Sequence, residues 1–253
     1  MSVGGPGTLP ATVVAPAKLT LSLRVTGVRA DGYHLIDAEM VELDLCDTVE
    51  LRDGTGLAVV DEAGHGLAVP VDADNLVNRA LRLVDRQAAV RLTKRIPSGA
   101  GLGGGSADAA AVLRWAGHGD LEAAARLGAD VPFCVVGGRA RVRGIGEVVD
   151  PLAPERRTLT LLTPPFGCST PAVYRAWDEL GGPTGDHGND LEPAALAVEP
   201  RLAAWRDRLH EIAGVRPRLA GSGSTWFVEG AFAGPGRVVV ATCPARDAGN
   251  GCA

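Results

Sequence analysis

Apolar and polar residues alternate strictly through Leu19-Thr20-Leu21-Ser22-Leu23-Arg24-Val25, the period of a strand with one face buried. The alternation returns in Met40–Leu45 and in Thr48–Leu51, and shorter strand-like pieces continue to about Val71. The first seventy residues therefore read as mostly β, behind a loose tail at residues 1–11 and broken by a turn at Gly27–Tyr33. The period then lengthens. Asp74-Asn75 supply cap chemistry for a helix predicted to about Arg86, with Leu76, Ala80, Leu83 and Val84 on one face. A strand is predicted at Ala89–Lys94, then a loop from Ile96 to Gly105 and a helix from Ser106 to Trp115. A short helix near Leu121–Leu127 and a hairpin over Arg139–Val149 follow.

Asp150-Pro151-Leu152-Ala153-Pro154 reads as a boundary. Beyond it the pattern predicts a strand (Thr158–Leu162), a helix (Pro171–Leu180), a Gly/Asp-rich loop (Gly181–Gly188) and a helix near Pro200–Ile212. Strands near Thr225–Val228 and Val238–Thr242 complete a β-α-α-β-β unit, with a frayed tail from Asp247. The expected class is α+β, in two units spanning 12–150 and 151–246.

Composition narrows the function. The chain has 253 residues, 46% hydrophobic and 22% charged, enough for a full core without staples. Its net charge of −5 leaves no basic excess to hold a nucleic-acid backbone. The five cysteines (Cys46, Cys134, Cys168, Cys243, Cys252) form no C-x-x-C pair, so neither a zinc site nor a disulfide scaffold is expected. No basic residue precedes Lys18 and no apolar run is long enough to span a bilayer. The reading is a cytoplasmic protein with reduced thiols and neither a nucleic-acid nor a membrane partner. Only two of the 25 basic residues are lysines, Lys18 and Lys94, and only two residues are tyrosines, Tyr33 and Tyr174. A lysine kept among so many arginines suits a site that needs a compact point charge, or it is chance.

The densest motif is Pro97-Ser98-Gly99-Ala100-Gly101-Leu102-Gly103-Gly104-Gly105-Ser106-Ala107, between a strand and a helix. Bare backbone lets amide N–H groups close on an anion, and the next helix aims its positive dipole end at the same point. Ser106 is expected to cap that helix and to offer its hydroxyl to a phosphate or a magnesium ion. No Gly-Lys-Ser/Thr follows, so this is no Walker A loop, and a third glycine is missing for a dinucleotide fingerprint. A glycine-rich helix entry without a ligand is the bland alternative.

This loop resembles the second motif of the GHMP small-molecule kinases. Ala15-Pro16-Ala17-Lys18-Leu19-Thr20-Leu21 resembles their first motif, and Leu219-Ala220-Gly221-Ser222-Gly223-Ser224-Thr225 their third. Four further segments are Arg29–His34, Leu127–Cys134, Gly144-x-Gly146-Glu147 and Asn189–Glu192. They resemble the branch that phosphorylates a hydroxyl of a CDP-linked methylerythritol in the non-mevalonate route to isoprenoids. The resemblance covers roughly residues 12–230. It implies a ribosomal protein S5 domain 2-like unit followed by a ferredoxin-like α+β unit, ATP and Mg2+ as cofactors, and a monomer or weak homodimer acting on a small molecule.

Roles follow position by position. Lys18 and Asp130 match the catalytic pair. Pro97 to Ala107 match the ATP phosphate loop, and Lys94 a lysine beside the nucleotide. Tyr33 and Tyr174 match the two rings that sandwich cytosine, and His34 a residue that reads the base. Thr20, Thr170 and Pro171 belong to the substrate wall, and Gly221, Ser222, Gly223 and Ser224 to the third motif. The metal ligands stay open. Trp115, Trp177, Trp205 and Trp226 read as core, and Arg139, Arg141, Arg143, Arg156 and Arg157 as a solvated hairpin face rather than a diphosphate clamp. Three positions depart from the family pattern: Thr20 replaces a usual Asn, Ala107 a common Ser, and the link from Trp115 to Leu121 is short. Those departures keep two alternatives in view: a GHMP kinase of another small alcohol, such as homoserine or mevalonate, and a nucleotide-binding paralogue without catalysis.

Overall fold

A computed structural model describes residues 6–64 and 69–244. The readings of a tail at residues 1–5 and at 247–253 lie outside the described residues. Strand β1 (Ala11–Val28) and strand β2 (His34–Arg52) form one long antiparallel hairpin, from Ala11 opposite Leu51 to Val28 opposite His34. Both outrun the alternation that predicted them. Backbone pairing carries β1 back into the expected tail at Ala11 and fuses Met40–Leu45 with Thr48–Leu51 into one strand. Register shifts break the hairpin ladder between Pro16 and Lys18, Thr20 and Ser22, and Val25 and Gly27.

Strand β2 is the spine of the first sheet. Its second edge is shared: β4 (Ala89–Lys94) pairs with Thr48–Arg52 and β5 (Arg139–Gly144) with Ile36–Val41. Strand β3 (Gly56–Asp61) lies parallel to β4, and β6 (Val148–Pro151) closes the far side on β5. The second sheet is antiparallel, formed by β7 (Thr158–Leu162), β8 (Arg218–Leu219), β9 (Trp226–Glu229) and β10 (Arg237–Ala241) in the order β10-β7-β9-β8. The α+β class holds.

Helix α1 (Leu76–Leu83) starts where its cap predicts: the Asn75 side chain accepts from the Val77 amide at 2.8 Å. Helix α2 (Gly104–Trp115) begins two residues before the expected Ser106. Its N-cap is Gly103, left-handed and without a side-chain bond, so Ser106 is not a cap. Four alanines of α2 (Ala107, Ala109, Ala110, Ala111) are fully buried and let the helix lie close on β1, α1 and the following α4 (Val131–Val136). Between them lies α3 (Leu121–Ala125), capped by Asp120, which accepts from Ala123 at 3.0 Å. The second unit carries α5 (Thr170–Glu179), α6 (Glu192–Val198) and α7 (Leu202–Ala213). Helices α4 and α6 were not foreseen, because six or seven residues cover too few turns to show a period. Cys134 and Cys168 are free thiols; Cys243 is disulfide-bonded, which corrects the reading of wholly reduced cysteines. Cys243 itself is buried, just past β10. Among the described residues no helix is long and apolar enough to cross a membrane.

Candidate active site

In β1 the core face takes Ala17, Leu19 and Leu21, and the opposite face takes Lys18 and Thr20. Both polar residues are nearly buried, at 5% and 2% exposure, so their groups need partners. Lys18 Nζ lies 3.2 Å from Thr20 Oγ1 and 3.2 Å from Asp130 Oδ2. Asp130 stands at the N-cap position of α4 yet makes no cap bond, so it is not an ordinary capping carboxylate. The β5–β6 turn backs it. Gly146 (φ +118°) presses on the Ala129 carbonyl, 2.2 Å from where a Cβ would sit, and only glycine tolerates that approach.

The glycine loop is clamped between β1 and the third motif. The Lys18 amide donates to Leu102 O at 3.0 Å, and the Thr225 amide to Ala100 O at 3.1 Å. Gly101 (φ +78°) is wedged so tightly that a Cβ would lie 2.6 Å from the carbonyl oxygens of both Ala220 and Gly223. The third motif is fixed in turn by Asn189, whose Nδ2 donates to Leu219 O (2.9 Å) and Gly221 O (2.7 Å). That explains Asn189 in chemistry the sequence left as a bare motif: one buried amide holds a loop from another part of the chain.

Two cavities open on this arrangement. One, of about 420 Å³, is lined by Ser98, Gly99, Ala100, Gly103, Gly104 and Gly105 of the loop, with Pro97, Asn75 and Leu76. The other, of about 550 Å³, is lined by Lys18, Thr20, Tyr33, His34, Tyr174 and Gly221, with Thr170, Pro171 and Ser222. Gly101, Ser106, Asp130 and Thr170 line both and form their junction. Leu102 and Ala107 face neither cavity; both point into the core at 1% and 0% exposure. Gly223 and Ser224 also stay behind the wall, Ser224 fully buried. Thr170 and Ser222 hydroxyls bond each other at 2.8 Å.

The larger cavity has an aromatic end. His34 packs against Tyr174 with ring centroids 4.6 Å apart and meets Trp177 edge-on at 5.6 Å. Its Nε2 lies 2.8 Å from Asp178 Oδ1. Tyr33 stands across the opening, 60% exposed. Burial raises the Tyr174 phenol above its ordinary pKa, with the Asp130 charge adding to it, so the ring stays neutral. Trp177 packs against the core, as read, and backs His34 from outside the cavity lining. Trp115 and Trp226 are buried as expected, and Trp205 packs on Phe166 at the edge of the core.

Lys94 borders the smaller cavity beside the loop, and its ammonium is committed underneath it. Nζ contacts Asp47 Oδ2 and lies 2.6 Å from Asp108 Oδ2. All three residues are buried. Burial opposes the charge on Lys94, and the two carboxylates outweigh it, holding the ammonium above its ordinary pKa. Asp47 also accepts the Arg95 and Ile96 amides at 2.5 and 2.8 Å. Asp108 Oδ1 has no partner. Neither aspartate was singled out from the sequence; a buried lysine next to a phosphate loop was the available signal, since it demands countercharges. Of the arginines read as a solvated face, Arg141, Arg143 and Arg156 are exposed, whereas Arg139, paired with Glu39 at 2.7 Å, and Arg157 are half-buried.

A cradle of bare backbone joined to a second, aromatic cavity through a lysine–aspartate pair defines a two-substrate small-molecule kinase site. Residues 75–138 match the GHMP kinases N terminal domain. The fold resembles a crystal structure of homoserine kinase from Cytophaga hutchinsonii (TM-score 0.56, 18% identity, 94% of this chain and 96% of that one). It resembles more strongly a crystal structure of 4-(cytidine 5'-diphospho)-2C-methyl-D-erythritol kinase, with a TM-score of 0.69 and 30% identity over 92% of this chain and 99% of that one. Among curated relatives, the 4-diphosphocytidyl-2-C-methyl-D-erythritol kinase of Paracoccus denitrificans is 41% identical over 238 residues, 84% of each chain. That of Pelotomaculum thermopropionicum is 39% identical over 256 residues, 85% of this chain and 88% of the relative. The chain belongs to the 4-diphosphocytidyl-2-C-methyl-D-erythritol kinase family.

Proposed function

We propose that the chain transfers the γ-phosphoryl group of ATP to a hydroxyl of 4-diphosphocytidyl-2-C-methyl-D-erythritol. The observation that carries this is the pair of cavities meeting at Gly101, Ser106, Asp130 and Thr170, with Lys18 held against Asp130 at 3.2 Å. Phosphoryl transfer asks the protein mainly for positioning and for charge around the phosphate oxygens. The loop amides and the start of α2 supply dipoles for the triphosphate in the smaller cavity. The acceptor lies in the larger one, its base among Tyr33, His34 and Tyr174 and its hydroxyl at the junction. Asp130 takes the hydroxyl proton as the acceptor oxygen bonds to the γ-phosphorus and the bond to the β–γ bridging oxygen breaks, leaving ADP. Lys18, 3.2 Å from Asp130, keeps it oriented and faces the charge that develops on the transferring group.

Lys94 acts from beneath, tying β4 to α2 and so setting the loop. Magnesium, when bound, neutralises phosphate charge. Among the described residues no three acidic, histidine or cysteine side chains form a metal cluster, which fits an ion carried mostly by phosphate oxygens and water. The Ser106 hydroxyl at the junction is the protein donor that suits it.

ADP release measured over a panel of alcohols tests the assignment. Turnover with the CDP-linked alcohol and none with homoserine or mevalonate is expected. The reverse pattern overturns the acceptor, and tight ATP binding without ADP from any alcohol overturns the reaction. The aromatic end formed by His34, Tyr174 and Tyr33 favours the CDP-linked acceptor, because a simple alcohol has no flat ring to place there.

A further inference from the structure

The walls of the acceptor cavity come from distant parts of the chain. Leu23, Tyr33 and His34 belong to the β1–β2 hairpin, and Tyr174 and Leu191 to α5 and the approach to α6. Next to Leu191 sits a buried carboxylate that the transfer step does not use. Asp190 is 5% exposed. Its Oδ1 accepts from Arg24 Nη1 at 2.6 Å and from the Gly185 amide at 3.0 Å, and its Oδ2 accepts from the Val25 amide at 2.9 Å. Arg24 Nη1 also donates to Gly185 O at 2.9 Å. The backbone repeats the link: the Leu23 amide donates to Gly188 O at 2.7 Å, and the Asp190 amide to Leu23 O at 3.0 Å. One side chain thus joins β1, the Gly181–Gly188 loop and the approach to α6.

From this clasp the loop leads to the aromatic end of the cavity. A Cβ on Gly185 would overlap the Asn189 carbonyl, so the loop is folded tightly back on the clasp. Two residues earlier, Pro183 O accepts from Trp177 Nε1 at 2.9 Å, and Gly182 (φ +72°) lies against the Trp177 ring. Trp177 in turn backs His34 edge-on. Asp190 therefore fixes Leu23 and Leu191 as immediate neighbours, and Trp177 and His34 by way of the loop. Asn189 serves the third motif through its own amide. Among the described residues none from 181 to 191 lines the phosphate-loop cavity, so a shift of the clasp reaches the acceptor wall and leaves the nucleotide wall in place. A guanidinium–carboxylate bond is stronger than a neutral one, and water has little access to replace it here.

We infer that Asp190 is a positioning residue for the acceptor: with Arg24 it holds the Gly181–Gly188 loop on β1 and so sets the spacing of the walls that receive the base. The inference rests on the proposed reaction and adds to it a residue outside the cavity that governs how the acceptor fits.

Steady-state kinetics on the full chain, with the CDP-linked alcohol and ATP varied separately, test it. Asp190→Asn keeps the side-chain size and removes the charge and one acceptor oxygen. It is expected to raise the acceptor KM about tenfold and the KM for ATP less than about twofold. Trp177→Phe keeps a ring and removes the N–H that reaches Pro183, and should raise the acceptor KM about threefold. The double variant should fall short of the product of the two effects, because both cut the same line of contacts. A residue that only stabilises the fold lowers the active fraction, which reduces apparent kcat and moves neither KM. That pattern, a parallel rise of both KM values, or strictly multiplicative effects overturns the positioning role of Asp190. Should Asp190→Asn not fold, Arg24→Met, at a partly exposed arginine, carries the same expectation at smaller size, and an unchanged acceptor KM there overturns it equally. Wild-type protein that does not turn over the CDP-linked alcohol overturns the proposed acceptor, and this inference with it.

Discussion

Lys94→Met removes one ammonium from beneath the phosphate loop and nearly keeps the side-chain length. Lys94, Asp47 and Asp108 are 2%, 0% and 2% exposed, so water cannot take over the lost contacts. Asp47 retains two backbone amides. Asp108 retains only its hydrogen bond to Asp47, because among the described residues its other oxygen is without a partner. Removing one partner of a buried pair costs about 3–5 kcal/mol, a large share of the ~5–15 kcal/mol that holds a domain folded. The loss has a pH signature. Burial pushes Asp108 up to about 7, against the pull of Lys94 and with the repulsion of Asp47. A carboxyl raised on folding gives up stability as pH climbs from its unfolded 3.8 through that folded value. At about pH 5, below the folded pKa, Asp108 holds its proton with or without the lysine. At about pH 8.5 the wild type balances an ionised Asp108 against Lys94, and the variant strands it. Urea unfolding at both pH values, with unchanged m, should therefore show a larger loss at the higher pH. Lys94→Met/Asp108→Asn should regain much of it there. A loss below about 1 kcal/mol at the higher pH, as for an exposed pair, or an equal loss at both, refutes the argument.

Asp130→Asn should lower turnover by about 10²–10⁴-fold, the range for a lost general base; calorimetric ATP affinity should barely move, and near-normal turnover would require another base. Tyr33→Ala should raise the acceptor KM roughly 5- to 150-fold, since a stacked base is worth about 1–3 kcal/mol. Tyr33 is 60% exposed, so the fold should keep its melting temperature, and an unchanged KM would remove the ring from the site. Gly101→Ala places a Cβ 2.6 Å from two carbonyl oxygens at a positive φ, so ATP binding by calorimetry should fall with the melting temperature; wild-type values for both would show that the loop is not wedged there.

Much of the first sheet was legible because its strands bury one face. The alternation around Leu19 and Met40 marks that face whatever the partner. Strand length was not legible: β1 gains its first turns of ladder from pairing with β2, a backbone effect that side-chain pattern does not record. The capped starts of α1 and α3 rest on local Asx chemistry, while the start of α2 rests on a glycine that no side chain announces. At the site, the glycine loop and the Lys18 and Asp130 positions were readable from motifs. Leu102 and Ala107 were carried along by motif membership, although alternate residues of a packed loop must turn inward.

By itself the sequence determined the chemistry on offer: a stretch of bare backbone before a helix, two scarce lysines, two scarce tyrosines, and a carboxylate ahead of Pro132. Only the tertiary structure decided how those charges were shared. It gave Lys18 to Asp130 at the mouth of both cavities and Lys94 to Asp47 and Asp108 below them. The reason is that periodicity and turn chemistry act over a few neighbours, whereas a buried ammonium takes whichever countercharges distant strands and helices bring within about 3 Å of it.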